Sequence, residues 1–233
     1  SGVAASDRAG FSVSTAGDVN GDGYVDLIVG AFDADPNGSS SGASYVVFGK
    51  SSGFGVALNL ATLNGSNGFV VNGVATDDIL GRSVSTAGDV NGDGFDDLLI
   101  GANAADSNGS DSGASFVVFG KATNFSASLN LSSLDGTNGF RLNGVAESDY
   151  SGFSVSGAGD VNGDGFDDLV IGARNAGVSG VLSGAGYVVF GKATGFTAVL
   201  SLSGLDGTSG FRLDSAAGDL LGRSVSGAGD VNG

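Results

Sequence analysis

Three nine-residue segments carry the side chains whose types and spacing could do chemistry. Each has the sequence Asp-Val-Asn-Gly-Asp-Gly-x-x-Asp, and the copies occupy residues 18–26, 89–97 and 160–168. Positions one, three, five and nine hold an oxygen-bearing side chain, and position six is glycine in every copy. Ca²⁺ is a hard cation that takes about six to eight oxygen ligands, and the backbone carbonyl of position seven can supply one more. The pattern therefore predicts three calcium-binding loops.

The candidate ligands are defined by their position in the loop. They are Asp18, Asn20, Asp22, Tyr24 and Asp26 in the first loop, Asp89, Asn91, Asp93, Phe95 and Asp97 in the second, and Asp160, Asn162, Asp164, Phe166 and Asp168 in the third. Asp230 and Asn232 open a fourth copy, where they would be ligands one and three. We expect one Ca²⁺ for each complete loop.

Other loops share part of this pattern. An EF-hand needs a bidentate Glu at position twelve and a helix after it, and a dockerin module also needs an acid there. Position twelve is Val29, Ile100 or Ile171, each within an apolar stretch. A plain Asn-Gly or Asp-Gly hairpin turn is the remaining alternative. Such a turn does not need four oxygen-bearing side chains at these spacings, so calcium binding is the preferred interpretation.

The loops belong to a longer repeat. The string Gly-Asp-Val-Asn-Gly occurs four times, with its aspartate at Asp18, Asp89, Asp160 and Asp230. This nearly fixed period of about 71 residues indicates a repeat architecture. We divide the chain into complete repeats at 1–71, 72–142 and 143–213, followed by the start of a fourth at 214–233. Because that fourth copy stops inside its loop, we expect the 233 residues to be a window cut from a longer array.

Each repeat has the pattern of four short strands. In the second repeat, apolar and β-branched stretches at 83–85, 97–102, 114–120 and 140–145 are separated by polar segments rich in glycine and asparagine. Residues 129–134 suggest one helical turn, and no longer stretch shows a helical period. We predict an all-β fold of β-propeller blades, each of four antiparallel strands, in about 3.3 repeats of about 71 residues. Propellers close with about 4–8 blades, so we expect this chain to need further repeats or a second copy.

Composition excludes several classes of function. The net charge of -16 makes nucleic acid and anionic membrane surfaces poor partners. Membrane insertion is not expected, because no apolar run approaches the roughly 18–20 residues of a membrane span. The chain has no Cys and no His, which excludes thiol-based and histidine-based catalysis. A pair of carboxylates could hydrolyse glycosides, but the acids outside the loops are scattered and several of them recur with the repeat. We therefore expect a protein that is not an enzyme.

Further motifs carry a family resemblance. Gly-Ala follows each loop at 30–31, 101–102 and 172–173, and a strand of the form Gly-Ala-Ser-Tyr-Val-Val-Phe-Gly occupies 42–49 with copies in both later repeats. The units resemble FG-GAP repeats, the blades of the integrin α-subunit propeller and of many large bacterial surface proteins. Phe32, Asn103 and Arg174 replace the usual proline after Gly-Ala. The resemblance implies a non-catalytic, calcium-stabilised propeller outside the cell, on the surface of a bacterium or secreted from it.

Two functions agree with this resemblance. Near-identical repeats favour a structural scaffold, part of a long fibre-forming adhesive protein that associates with itself or with further repeats of the same chain. The alternative is a ligand-binding propeller that recognises a protein or glycan through loops that differ between repeats. The segment 174–182 differs most and is the preferred place for such a ligand.

Overall fold

The computed structural model describes residues 3–122, 125–178, 181–193 and 195–229, and almost all of its regular structure is β. The first repeat contains β1 (Ser12–Gly17), β2 (Asp26–Ala31), β3 (Ala43–Val47) and β4 (Gly68–Asn72). The second contains β5 (Ser83–Gly88), β6 (Asp97–Ala102), β7 (Ala114–Val118), β8 (Ser128–Asn130) and β9 (Gly139–Asn143). The third contains β10 (Ser151–Gly159), β11 (Asp168–Ala173), β12 (Gly177–Val178), β13 (Val181–Leu182), β14 (Ala185–Val189), β15 (Val199–Ser201) and β16 (Gly210–Asp214).

Four strands of each repeat pair in antiparallel order. The sheets run β1-β2-β3-β4, β5-β6-β7-β9 and β10-β11-β14-β16. The third strand of each repeat is buried at every residue, which explains its apolar and small side chains. This arrangement confirms the predicted all-β fold of propeller-type blades.

The first two sheets also hold a fifth strand, which the sequence did not predict. β8 of the second repeat pairs in parallel with β4 of the first, and β15 of the third repeat pairs in parallel with β9 of the second. A turn of 3₁₀ helix follows each of these strands, at Leu131–Ser133 and Leu202–Gly204. Of the predicted helical turn at 129–134, the first two residues are strand and the next three form the turn of 3₁₀ helix. Consecutive repeats are joined by shared sheets as well as by packing.

The hydrophobic core lies between neighbouring blades. Ile28 and Phe69 of the first repeat pack in one cluster with Ile100 and Phe125 of the second. The rings of Phe69 and Phe125 stack with their centroids 4.4 Å apart. The second and third repeats repeat this stack with Phe140 and Phe196 at 4.6 Å. Burial of aromatic side chains from both repeats fixes each blade against the next.

The first strands of consecutive repeats lie next to one another, since β1 contacts β5 and β5 contacts β10. The loops that leave these strands therefore also lie at the same end of neighbouring blades. No helix in the described part of the chain is long and apolar enough to cross a membrane.

Candidate metal centre

Each candidate loop is the connection between the first and second strands of its blade. The residue before the loop pairs with its ninth residue, as in Gly17 with Asp26 and Gly88 with Asp97. A shift in register precedes each loop, for example between Thr15 and Gly17. Such a bulge increases the local twist and lets the chain turn sharply. The β-hairpin therefore places the loop at one end of the blade, where its first two strands are connected.

The side chains at positions one, three and five of the first loop accept hydrogen bonds from the loop's own backbone. Asp18 Oδ1 accepts from Asp22 N at 3.0 Å, and Asp18 Oδ2 accepts from Gly23 N at 2.8 Å. Asn20 Oδ1 also accepts from Asp22 N, at 3.0 Å, and Asp22 Oδ1 accepts from Tyr24 N at 2.9 Å. The same four bonds recur in the second and third loops at 2.9–3.0 Å. The side-chain oxygens of these three positions therefore all lie against the backbone of one tight turn.

The glycine at position six makes this turn possible. Its φ angle is +85° in the first loop, at Gly23, and +88° in the second, at Gly94. Residues with a Cβ atom rarely adopt such angles, whereas glycine does so readily. A side chain at this position would therefore strain the turn that brings the oxygens together.

The ninth residue lies at the base of the loop and is fully buried in all three copies. Asp97 accepts hydrogen bonds from Val90 N at 3.0 Å and from Gly120 N at 2.9 Å. Asp26 and Asp168 make the equivalent pairs of bonds. Each carboxylate therefore ties the start of its own loop to the segment that follows the third strand.

Burial perturbs the ionisation of these ninth residues. Loss of hydration raises the pKa of Asp26 to about 6 and that of Asp97 to about 8, and the two backbone hydrogen bonds of each carboxyl oppose the shift. The pKa of Asp168 is raised for the same reason. The negative charges of Asp93 and Asp89 raise the pKa of Asp97 further. Positions one, five and nine thus interact electrostatically, and a cation among them would relieve their repulsion.

The donor chemistry of the loops fits a hard cation, because every candidate ligand atom is a carboxylate, amide or carbonyl oxygen. In the ranges that the structure describes, no three Asp, Glu, His or Cys side chains form a group that could hold a metal by themselves. A cation in these loops would therefore depend on the asparagine and backbone oxygens as well as on the carboxylates. Asp230 and Asn232, the candidates of the fourth copy, lie outside the described residues.

The side chain at position seven also contacts the preceding loop, which the sequence did not indicate. The ring of Phe95 packs on Gly21 of the preceding loop, and the ring of Phe166 packs on Gly92. Position eight, which was not a candidate, also reaches the preceding loop: Asp96 bonds to Asp18, and Asp167 bonds to Asp89. The sequence feature that could have indicated this contact is the aspartate at position eight, which occurs in the second and third loops, whereas the first loop has Val25 there.

Acidic clefts outside the loops follow the repeat. A cleft of about 510 Å³ beside the first repeat is lined by Asp7 and Asp35, and one of about 180 Å³ beside the second is lined by Asp78 and Asp106. Asp7 and Asp78 each accept a hydrogen bond from the backbone of their own turn, at 2.9 Å. These equivalent acids have the same structural role in both repeats, as turn caps.

The fold and the loops define a class of protein: a tandem array of propeller-type blades, each with one oxygen-rich loop between its first two strands. The model of the FG-GAP repeat family matches residues 9–47, 80–118 and 151–190, so the chain belongs to this family. The chain is similar to integrin alpha pat-2 of Caenorhabditis elegans, with 34% identity over 177 residues, which are 74% of this chain and 14% of that protein. It is also similar to integrin alpha-V of Gallus gallus, with 32% identity over 170 residues (70% of this chain, 14% of that protein), and to integrin alpha-PS5 of Drosophila melanogaster, with 33% identity over 168 residues (72% and 15%). The matched region thus covers only a small part of each relative.

Proposed function

We propose that this chain is a non-catalytic, calcium-stabilised scaffold of an extracellular adhesive protein, in which the repeats build a long surface structure or fibre. The observation that carries this proposal is the common geometry of the three loops. In each, three oxygen-bearing side chains fold over one turn above a buried carboxylate. The similarity to integrin alpha chains supports an adhesive role, and the repetition of nearly identical blades supports a structural one.

Calcium would act by holding the hairpin between the first two strands closed. In the first loop the side chains of Asp18, Asn20, Asp22 and Asp26 would hold the ion, together with the carbonyl of Tyr24. The ion supplies positive charge where carboxylates would otherwise repel one another. At a calcium concentration a hundredfold above the Kd, each ion adds about 2.7 kcal/mol of stability. Three ions would add about 8 kcal/mol, compared with a typical total of about 5–15 kcal/mol for a domain.

Calcium titration tests this proposal directly. We expect isothermal calorimetry on the calcium-free protein to show one bound ion for each complete loop, and a chelator to lower the melting temperature measured by circular dichroism. Magnesium serves as the control, because it requires near-ideal octahedral geometry and dehydrates reluctantly. A melting curve that a strong chelator leaves unchanged would contradict the proposal.

The extracellular setting has its own test. Extracellular calcium modules bind with Kd values of about 10⁻⁴–10⁻³ M, a range that suits the calcium concentrations outside cells. An antibody against the repeats should label intact cells of the source organism, which we propose is a bacterium. Labelling only after the cells are made permeable would contradict this localisation.

A second candidate function is recognition of a protein or glycan. The loop after the second strand of the third repeat contains the hairpin of β12 and β13, whereas the equivalent loops of the first two repeats, which lie within the described ranges, have no assigned strand. The guanidinium of Arg174 at the base of this hairpin lies over the rings of Tyr150 and Phe153, at 4.9 and 4.3 Å. Replacing residues 174–182 with the equivalent segment of the second repeat should abolish binding on a glycan or protein array. Retained binding would exclude this loop.

A further inference from the structure

Two bonds join the first calcium loop to the second. Asp96 Oδ2 accepts a hydrogen bond from Asp18 N at 2.7 Å, and Asp96 N donates to Asp18 O at 3.3 Å. The third loop holds the second in the same way, since Asp167 Oδ2 accepts from Asp89 N at 2.8 Å and Asp167 N donates to Asp89 O at 3.2 Å. Asp18 and Asp89 are the first candidate ligands of their loops. Both backbone groups of each first ligand are therefore fixed by an aspartate of the following repeat.

Packing around these bonds leaves the loop little freedom. Val19 O accepts a hydrogen bond from Lys121 N at 3.0 Å, and the Phe95 ring covers Gly21. A Cβ atom built on Gly17 would overlap the Asp96 side chain, so that only glycine allows this approach. The following repeat thus contacts the loop at its entry and at its fourth position.

In the described part of the chain, the third loop has no such contacts from the loop of a following repeat, and it can be compared with the first two. Val161 at its second position is 52% exposed, whereas Val19 and Val90 at that position are 0% and 1% exposed. A Cβ atom built on Gly159 would meet no atom of the described residues within 4 Å. Asp160 Oδ1 also accepts a hydrogen bond from Gly163 N, at 2.7 Å. Among the three complete loops, the second position is thus buried only where a following repeat contacts the loop.

We propose that Asp96 is a positioning residue for the cation site of the first loop, and Asp167 for that of the second. This inference rests on the proposed calcium binding. Neither aspartate is a ligand of the loop that it holds; each fixes the backbone of the first ligand, as outer-shell partners of metal sites do.

Tyr24 allows the first loop to be observed separately. It occupies position seven, where the other two complete loops have Phe95 and Phe166. Terbium replaces calcium in oxygen-rich sites, and a tyrosine beside the ion sensitises its luminescence. Terbium emission excited through tyrosine therefore reports on the first loop, whereas calorimetry with calcium reports on all three.

The test compares two variants of the same type. Asp96→Val introduces the residue that the first loop itself has at this position, and we expect it to weaken terbium binding at the first loop by about 10- to 100-fold. Asp167→Val, the matched control, should leave that titration unchanged. Equal first-loop titrations for Asp96→Val and the wild-type protein would overturn the proposal, as would an equal loss in both variants.

The conservative variant Asp96→Asn distinguishes the effect of the hydrogen bond from the effect of the negative charge, and circular dichroism distinguishes both from a loss of folding. Asp96→Asn keeps an oxygen that can accept the bond from Asp18 N, so we expect it to bind terbium much as the wild-type protein does. Circular dichroism identifies variants that do not fold, and Asp96→Ala replaces Asp96→Val if the larger side chain disturbs the fold. If Asp96→Asn binds as weakly as Asp96→Ala, the hydrogen bond is not the cause and the proposal fails.

The reporter can be moved to the second loop with Tyr24→Phe and Phe95→Tyr. Asp167→Val should then weaken the titration, and an unchanged result would overturn the proposal for that loop. A wild-type protein that binds neither calcium nor terbium would refute the proposed calcium function itself. Binding at all loops without an effect of Asp96→Val would refute the positioning role alone.

Discussion

Replacing Asp97 with alanine should destabilise the protein both with and without calcium. Asp97 is fully buried and accepts the bonds from Val90 N and Gly120 N. Removing its carboxyl leaves both donors without an acceptor in a site that water does not reach. Asp93 at position five is the matched control: it belongs to the same loop, but its side chain lies at the exposed surface, where water can replace its hydrogen bonds.

The expected magnitudes differ enough to be measured. An unsatisfied buried donor costs about 1–3 kcal/mol, so two cost about 2–6 kcal/mol. For a chain of this size, each kcal/mol lowers the melting temperature by about 2–4 °C, and Asp97→Ala should lower it by on the order of 10 °C. Asp93→Ala should cost less than about 1 kcal/mol without calcium, as is usual for a surface substitution. With calcium at a hundredfold above the Kd, Asp93→Ala should also lose the contribution of one ion, about 2.7 kcal/mol.

Thermal unfolding monitored by circular dichroism gives the melting temperature of each variant, once with calcium and once with chelator. We expect a large shift in melting temperature for Asp97→Ala under both conditions and a comparable shift for Asp93→Ala only with calcium. If both variants melt at the same temperature in chelator, the buried hydrogen bonds of Asp97 do not stabilise the fold as argued. If Asp93→Ala melts as the wild-type protein does in calcium, Asp93 is not a ligand.

Three further predictions concern stability. In chelator, the free energy of unfolding should fall as the pH rises from about 4 to about 8. The folded state keeps a proton on Asp97, whose pKa is about 8, whereas the unfolded state loses this proton near the ordinary pKa of 3.8. A calorimetric series across this pH range that shows no fall would contradict the prediction. Gly88→Ala should destabilise by about 1–3 kcal/mol more than Gly159→Ala in urea unfolding. The two glycines have φ angles of +73° and +70°, but only at Gly88 would a Cβ atom overlap an aspartate of the next repeat, so equal losses would refute the contact. Phe125→Ala should cost about 3–5 kcal/mol and Phe54→Ala much less. The Phe125 side chain is buried and that of Phe54 is exposed, so similar midpoints in urea would contradict the stacking argument.

Local patterns predicted most of the blade. The strands of the second repeat were expected at 83–85, 97–102, 114–120 and 140–145, and they lie at Ser83–Gly88, Asp97–Ala102, Ala114–Val118 and Gly139–Asn143. Alternation, β-branching and glycine-rich turns act over a few residues and can therefore be recognised in one repeat. The fifth strand could not be found in this way. Ser128–Asn130 is very short, and it is a strand because the edge of β4 in the preceding repeat offers it partners.

The sequence by itself determined the period, the blade type and the position of the oxygen-rich loops, because spacing and residue type are local properties that recur in every repeat. Only the tertiary structure decided how the copies are coupled. The sequence shows Asp96 as one more acid in an acidic chain, and the fold turns it towards Asp18 of the preceding loop. The fold likewise stacks Phe125 on Phe69. These contacts join residues of different repeats, so they depend on the packing of one blade against the next, which no single repeat specifies.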